Sequence, residues 1–311
     1  MNSVKELSID EVSKISASLG IFSKLLISGG EPFLRDDLPE ICEIFYRQNR
    51  VSLVHLPTNG FYPQKIVDRT QKILGRCQNS EFIVSLPLDG FDVTHDRIKG
   101  VNGSFKKVIE TTKSLAALKK KFDNLTINIV SVVNNINVDE MIKLAEFVKN
   151  NLPVDGHGLS PVRGSPYDKT LLPPSWNEWS SLSRKLMEYR KYWDRRRTGS
   201  KLRAFLIANR VKYLYNVYSR VLKGQKLPFK CQAGNIIAVL DPNGDVRLCE
   251  LTKVVGNVRD TNFDFKKVLF SDEANAMRKK IKDCACTHAC FLEPSIKMNP
   301  LTLFRSFLWG S

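Results

Sequence analysis

The sequence contains no run of about 18 or more uninterrupted apolar residues, which excludes the usual transmembrane helix. Its N-terminus also lacks the basic-then-apolar pattern of a secretory signal peptide. With 311 residues, of which 42% are hydrophobic, the chain can bury a large core in one or two domains. These properties predict a globular protein, and we expect it in the cytoplasm.

Acidic residues are scarce in one segment. Between Trp176 and Lys230 there are 15 Lys and Arg residues against 3 Asp and Glu residues, so this segment carries +12 of the chain's net charge of +16. Large apolar residues recur there at helical spacing, at Trp179, Leu182, Leu186, Tyr189 and Trp193. Two interpretations stay open. In the first, the segment forms two packed helices whose basic faces are solvated. In the second, it binds an anionic partner, which is nucleic acid, a phospholipid surface or a phosphate-bearing substrate.

Strand and helix patterns alternate along the first 165 residues. Strands are predicted at 24–28, 52–57, 82–88, 126–133 and 158–162, with helices at 9–19, 38–48, 63–74, 104–121 and 138–151. Ser8 is the predicted cap of the first helix, with Glu11 as its N3 residue. Repeated strand–helix units predict a parallel sheet, either a complete or partial barrel or an open doubly wound sheet. In each of these folds, functional residues lie at the C-terminal ends of the strands.

The stretch from Lys24 to Pro32, KLLISGGEP, ends the first of these strands. A backbone without Cβ atoms at Gly29 and Gly30 allows a ligand to approach closely, and Glu31 supplies acceptors for a bound ammonium group. Pro32 fixes the direction in which the chain leaves. On these residues alone, an ordinary turn between a strand and a helix is an equally good interpretation.

This stretch resembles the GGEP motif of radical S-adenosylmethionine (radical SAM) enzymes, in which the loop holds the methionine amino group of SAM. The segments 57–60, 84–90 and 94–105, with the sequences PTNG, VSLPLDG and THDRIKGVNGSF, also resemble that family. The resemblance implies an α/β fold, a partial (β/α) TIM-like barrel that lacks its first strand. It also implies SAM contacts at Gly29, Gly30, Glu31, Pro32, Thr58, Asn59, Ser85, Asp89, Asn128, Ser131 and Arg163. One departure is Pro87, where the family usually has Ser; Ser85 lies on the same strand face and is the predicted substitute.

The C-x3-C-x2-C motif of the family, which binds three irons of a [4Fe-4S] cluster, is absent. Cys42 and Cys77 lie alone and are predicted to be structural. We expect an N-terminally truncated chain, whose first strand and cysteine loop lie upstream of Met1; the alternative is a relative that lost the motif. The resemblance then implies SAM and a second [4Fe-4S] cluster only for a chain that contains this motif. The chain as it stands should not cleave SAM reductively.

Five cysteines lie near the C-terminal end: Cys231, Cys249, Cys284, Cys286 and Cys290. A strand at 236–240 and the turn Asp241–Gly244 precede Cys249. Four thiolates suit structural zinc and an iron–sulfur cluster equally. The G-x4-C spacing that ends at Cys249 resembles the SPASM domain, an auxiliary iron–sulfur module, although C-x-C-x3-C departs from its usual run. The resemblance implies one [4Fe-4S] cluster, with Cys284 as the spare and the other four as ligands.

The predicted domains are a partial barrel at 1–165, a basic helical segment at 166–227, a SPASM-like domain at 228–298 and an apolar tail at 299–311. This tail is expected to cover the barrel or to contact a membrane or partner. The resemblance implies reductive SAM cleavage to a 5′-deoxyadenosyl radical and hydrogen abstraction from a peptide or small molecule. Two alternatives are a non-catalytic iron–sulfur protein and a zinc-stabilised binder of nucleic acid or another anion.

Overall fold

The computed structural model describes residues 5–308, in which helices and strands alternate as the sequence predicts. The strands are β1 Lys24–Leu26, β2 Leu53–Pro57, β3 Glu81–Pro87, β4 Leu125–Val133, β5 Gly156–Pro161, β6 Val239–Leu240, β7 Asp245–Arg247 and β8 Val254–Asn257. The helices are α1 Ile9–Leu19, α2 Leu38–Asn49, α3 Pro63–Arg76, α4 Asp92–Lys99, α5 Ser104–Leu118, α6 Met141–Asn151, α7 Trp176–Thr198, α8 Lys201–Leu222, α9 Phe265–Leu269, α10 Asp272–Ile281, α11 Ala289–Met298 and α12 Pro300–Leu308. Short 3-10 turns occupy Pro32–Leu34, Val138–Glu140 and Val258–Thr261.

A five-stranded parallel sheet has the strand order β1-β2-β3-β4-β5. The parallel register pairs Leu25 with Val54 in β1 and β2, and Ile129 with His157 in β4 and β5. Sequential strands that lie side by side with helices between them are the pattern of a strand–helix barrel. The predicted α/β class is therefore confirmed, and the sheet is consistent with a partial barrel.

The chain divides into two compact units that do not follow the predicted sequence boundaries. The first unit combines the chain up to Ser85 with residues 117–126 and 232–282, and the second combines 86–116, 127–231 and 283 onward. The predicted boundaries at 165, 227 and 298 therefore stay predictions. Residues 309–311 of the predicted apolar tail lie outside the described residues.

In the first unit, α1 begins with the capping box that the sequence predicts. The Ser8 side chain accepts from the Glu11 backbone N–H, and Glu11 accepts from the Ser8 N–H. The same carboxylate receives two hydrogen bonds from the Arg259 guanidinium, at 2.9 and 3.0 Å, which lower the pKa of Glu11 to about 2. This pair connects the start of the chain to the segment after the antiparallel strands β6 to β8.

In the second unit, α7 and α8 pack against each other through buried aromatic residues. Trp179 Nε1 donates to the Tyr215 carbonyl at 3.0 Å, and their rings meet edge to face. Gly199 lies between the two helices with a φ of +61°, which favours glycine. The basic segment therefore contains the two packed helices that the sequence predicts, and whether their basic faces bind an anionic partner stays a prediction.

Within residues 5–165, one helix has no counterpart among the predicted elements. Helix α4 is polar and buries only His95, so it shows no apolar periodicity that a sequence pattern can detect. It ends at Gly100, which has a left-handed φ of +67°.

Candidate functional site

The loop after β1 is fastened to the turn after β2 by one carboxylate. Glu31 Oε1 accepts from Thr58 Oγ1 at 2.8 Å and from the Phe33 backbone N–H at 3.1 Å. Glu31 Oε2 accepts from the Asn59 backbone N–H at 2.6 Å. The GGEP loop and the Thr58-Asn59-Gly60 turn, which the sequence suggested separately, therefore form one structure at the C-terminal edge of the sheet.

The glycines of this loop face open space. Both Gly29 and Gly30 are exposed, and a Cβ atom added to either would meet no other atom within 4 Å. Gly29 has a φ of +129°, a conformation that L side chains rarely adopt. A carboxylate has about four acceptor positions, of which Glu31 uses three, so one is left for a ligand ammonium group. Pro32 directs the chain into the 3-10 turn, where Phe33 is buried as an anchor.

The Ser85 hydroxyl lies in a different environment from the exposed loop. Ser85 is buried, and its Oγ lies 2.8 Å from His55 Nε2 on the neighbouring strand β2. Burial, and more weakly the charge of Lys24, lower the pKa of His55 to about 4, so this imidazole is neutral near pH 7. Ser85 thus has an internal partner, and the sequence pattern gave no sign of His55.

Asp89, the predicted ribose neighbour, is 1% exposed and uses both carboxylate oxygens internally. Its Oδ1 accepts from the Val132 backbone N–H at 2.6 Å, and its Oδ2 pairs with Lys99 Nζ at 2.6 Å. Its backbone N–H donates to His95 Nδ1 at 3.0 Å, and its carbonyl accepts from Asn137 Nδ2 at 2.7 Å. The Asp89 carboxylate is therefore held in place by protein groups and is almost completely shielded from solvent.

Residues around Gly90 complete this buried arrangement. A Cβ atom on Gly90 would lie 2.6 Å from Thr94 Cγ2 and 3.0 Å from Glu140 Oε2. The Glu140 carboxylate accepts from the Phe91 backbone N–H at 2.9 Å and from Thr94 Oγ1 at 2.6 Å. Sequence reasoning missed Glu140, because it lies about fifty residues from its partners and no motif includes it.

The motif THDRIKGVNGSF has a structural explanation in its own unit. The Asp96 carboxylate accepts from the backbone N–H groups of Gly103 and Phe105, at 2.5 and 2.8 Å, and so holds the start of α5. His95 is fully buried; since its Nδ1 accepts, its Nε2 carries the proton and donates to Ser104 Oγ at 3.2 Å. Burial lowers the pKa of His95 to about 4.

Asn128 and Ser131 of β4 lie on opposite faces of the strand, since residues three apart alternate sides. Ser131 is buried, donates to the Leu88 carbonyl and lies 2.8 Å from His157 Nε2. Asn128 is half-buried beside Gly156, where an added Cβ would lie 2.8 Å from Asn128 Oδ1. The two residues cannot both line one pocket.

Arg163, the last predicted SAM contact, follows β5 and is half-buried. Its charge acts on Tyr218, whose pKa is raised by burial and by Glu293 and is held down in part by Arg163. Arg163 therefore lies in the neighbourhood of the buried aromatic face of α8.

The five C-terminal cysteines fall in both units. Cys249 belongs to the first unit, where its backbone N–H donates to Thr252 Oγ1 at 3.2 Å. Cys231, Cys284, Cys286 and Cys290 belong to the second unit. A hydrogen bond between the thiols of Cys284 and Cys286, together with burial, raises the pKa of Cys286.

A set of thiol donors fits an iron–sulfur cluster and zinc chemically. Within residues 5–308, however, no three His, Cys, Asp or Glu side chains are grouped closely enough to hold a metal ion. Within the second unit the structure brings together Cys284, the predicted spare, and Cys286, and the choice of four cluster ligands stays a prediction. For the SAM cluster the fit fails outright, because Cys42 and Cys77 are buried thiols whose pKa values are raised by burial and the sequence holds no C-x3-C-x2-C.

No helix in the described part of the chain is long and apolar enough to cross a membrane.

Two family models match the sequence. The radical SAM superfamily model matches residues 2–148, and the model of the SPASM iron–sulfur cluster-binding domain matches residues 231–291. The second match spans all five C-terminal cysteines.

Curated relatives align with part of the chain. It is 26% identical over 152 residues to the putative glycyl-radical enzyme activating enzyme MJ1632 of Methanocaldococcus jannaschii. This alignment covers 48% of this chain and 55% of that protein. It is 29% identical over 146 residues to the GTP 3′,8-cyclase of Helicobacter pylori. This alignment covers 45% of this chain and 40% of that protein. The matched segments thus span 55% and 40% of these relatives' lengths.

Among solved structures, the chain is similar to anSMEcpe with bound AdoMet and a Kp18Cys peptide. The TM-score is 0.58 at 17% sequence identity, and the alignment covers 91% of this chain and 76% of that chain. At this identity the likeness shows the fold.

Proposed function

The chain belongs to the radical SAM superfamily and carries a C-terminal SPASM domain, and from that premise we propose that its first unit binds the methionine end of SAM. The observation that carries this proposal is the Glu31 carboxylate, which joins the GGEP loop to the turn at Thr58 and Asn59 beneath the open backbone of Gly29 and Gly30. Glu31 would accept from the SAM ammonium group, and the glycines would let SAM approach the backbone.

We assign the other predicted contacts according to their environment. Ser85, Asp89 and Ser131 are buried and hydrogen-bonded within the protein, so we propose that they support the strand ends. Asn128 and Arg163 are half-buried and stay candidates for contact with the rest of SAM or with substrate.

The family's reaction is reductive cleavage of SAM to methionine and a 5′-deoxyadenosyl radical, with an electron supplied by the cluster at C-x3-C-x2-C. Because the 311 residues contain no such motif, we propose that this chain binds SAM without cleaving it. A polypeptide that supplied the motif would carry out the oxidoreductase reaction and take hydrogen from its substrate. A peptide or a small molecule is proposed as that substrate, after the peptide in the anSMEcpe structure and the GTP named for the cyclase.

In the SPASM domain we propose one [4Fe-4S] cluster, held by Cys231, Cys249, Cys286 and Cys290, in a protein of the cytoplasm. Such a cluster would bind substrate or carry an electron. The contact between Cys284 and Cys286 makes Cys284 the alternative fourth ligand. The missing SAM-cluster cysteines favour a second candidate function, a non-catalytic iron–sulfur protein.

Calorimetric titration with SAM tests the role of Glu31. We expect Glu31→Gln to weaken SAM binding about 10- to 100-fold, since a charge-assisted hydrogen bond contributes about 1.5 to 3 kcal/mol. Glu40→Gln, on α2 of the same unit, is the matched control and should bind as the wild type does. Methylthioadenosine lacks the amino acid part of SAM, so Glu31→Gln should leave its affinity unchanged.

If Glu31→Gln weakened both ligands equally, Glu31 would only hold the loop in place. If the wild type bound neither ligand, the proposed SAM site would be wrong.

Iron, sulfide and zinc analysis of anaerobically purified protein tests the cluster. About four irons and four sulfides per chain are expected, whereas zinc without iron would replace the cluster by a zinc site and favour the anion-binding alternative.

A further inference from the structure

Helix α12 of the second unit exposes two large apolar residues, whereas Leu303 and Phe307 are half-buried. Its buried residues are the small polar Thr302 and Ser306, which are 4% and 0% exposed. Two other apolar residues, Leu301 and Phe304, are each 59% exposed. A helix on the surface of a globular protein normally turns its apolar residues inward. The exposed apolar residues of α12 therefore mark a candidate interaction surface.

Helix α8, which packs against α12, also exposes large apolar residues. Asn209 Nδ2 of α8 donates to the Phe307 carbonyl of α12 at 3.1 Å. Leu202 and Phe205 lie seven and four residues before Asn209, which places them on or beside the stripe of α8 that meets α12. Both are exposed, as is Met298 at the end of α11. We call Leu202, Phe205, Met298, Leu301 and Phe304 the apolar face.

Positive charge accompanies this apolar face and negative charge does not. Helix α8 carries five Lys and Arg residues, α12 carries one Arg, and neither contains Asp or Glu, so together they carry a net charge of +6. Three of these cations, Lys201, Arg203 and Arg305, are exposed next to members of the apolar face in sequence. Long basic side chains can place their charge at lipid head groups while neighbouring apolar residues enter the acyl boundary.

We propose that the apolar face docks on the surface of an anionic phospholipid membrane, with Lys201, Arg203 and Arg305 contacting lipid phosphates. Charge complementarity favours this partner, since anionic leaflets attract Lys and Arg clusters near the surface. Three of the five residues of the apolar face, Leu202, Met298 and Leu301, have no ring to stack on bases, so the face suits lipid better than nucleic acid. Because no described helix is long and apolar enough to span the bilayer, the protein would lie on the membrane.

Flotation of the full chain with vesicles tests the proposal. Phosphatidylcholine vesicles are compared with vesicles that also contain phosphatidylserine, and binding is expected only to the second kind at moderate salt. Leu301→Ser with Phe304→Ser should weaken binding at least about tenfold, because two exposed apolar side chains no longer enter the membrane. The matched control is Val93→Ser, at an even more exposed apolar residue of the same unit on α4, which should float as the wild type does.

A second variant tests the charged part. Lys201→Gln, Arg203→Gln and Arg305→Gln together should weaken binding to phosphatidylserine vesicles about 100-fold. The proposal is overturned if the wild type binds neither vesicle, or if both the double and the triple variant bind as the wild type does. Binding of an RNA oligonucleotide that the double variant retains, with no vesicle binding, would identify nucleic acid instead. A dimer in light scattering that Leu301→Ser with Phe304→Ser converts to a monomer would identify a second copy of the chain instead.

Discussion

Glu31 in the first unit and Asp89 in the second illustrate two uses of a carboxylate after a strand of the same sheet. Glu31 is half-buried, lies beside an open glycine backbone and retains acceptor capacity. Asp89 is buried, and its two oxygens are held by a backbone N–H and by Lys99. The carboxylates look alike as motif positions, yet they differ in burial and surroundings, which is why we propose Glu31 as a ligand contact and Asp89 as a support for the strand ends.

The glycines beside the two carboxylates differ in the same way. Gly29 has open space around its Cα, whereas Gly90 is packed against Thr94 and Glu140. A glycine after a strand therefore has two distinct physical causes, room for a ligand in the first unit and room for the protein's own side chains in the second. Three tests, from the largest expected effect to the smallest, would sharpen or break this contrast.

The largest expected effect is a loss of stability in acid. Burial lowers the pKa of His95 and His157 in the second unit, and of His55 in the first, from 6.5 to about 4. The unfolded chain binds protons below pH 6.5 while the folded chain stays neutral, so stability is complete above pH 6.5 and is lost as the pH falls toward 4. Between pH 7 and pH 5 each histidine should cost about 2 kcal/mol of unfolding free energy, or about 4 kcal/mol for the second unit.

Urea unfolding at several pH values measures this dependence. His157→Gln and His95→Gln should each flatten the curve between pH 7 and pH 5 by similar amounts, and together by about twice the effect of His55→Gln. An unchanged slope in the double variant would contradict the assignment of acid sensitivity to the second unit.

The second test compares the two glycines. Gly90→Ala should lower the free energy of unfolding by about 3 kcal/mol, because its Cβ would lie 2.6 Å from Thr94 Cγ2 and its φ is +154°. Gly29→Ala should cost only about 1 kcal/mol, from backbone strain alone. Gly30→Ala, with no positive φ and no neighbour within 4 Å, serves as control and should change stability little. Equal losses at Gly29 and Gly90 would remove the distinction between an open and a packed glycine.

The third test compares the carboxylates. Asp89→Asn keeps the side-chain volume but removes the charge beside Lys99, and we expect it to cost about 2 kcal/mol, because Lys99 is partly exposed and can turn to water. Glu31→Gln keeps an oxygen that accepts from Thr58, but its amide NH2 group then faces the Asn59 N–H and cannot accept from it. We expect this lost hydrogen bond to lower the free energy of unfolding by about 1 kcal/mol. Urea unfolding at pH 7 checks both values; a greater loss for Glu31→Gln would show that Glu31 is the more structural of the two.

Local patterns in the sequence predicted much of this fold. The capping box of Ser8 and Glu11 appears as predicted, and the Asp241–Gly244 turn closes with the Gly244 N–H donating to the Asp241 carbonyl at 2.9 Å. These features succeed because the interacting groups are a few residues apart, so the chain itself brings them together. The positions of the five parallel strands were predicted for a similar reason, since apolar runs between helical segments are a local signal.

Part of the site could have been predicted better from the sequence. Asn128 and Ser131 are three residues apart on one strand, and strand alternation alone places them on opposite faces. Helix α4 could not have been found in this way, because it is polar and buries one residue.

The sequence by itself determined the strand–helix order, the Gly29–Gly30–Glu31 loop, the concentration of basic residues and the family. Only the tertiary structure decided that Glu31 faces an open loop while Asp89 is held by Val132 and Lys99, and that α12 exposes Leu301 and Phe304. The physical reason is that burial and hydrogen bonding depend on groups distant along the chain. Val132 lies about forty residues from Asp89, and α8 lies almost a hundred residues from α12, so no local pattern carries that information.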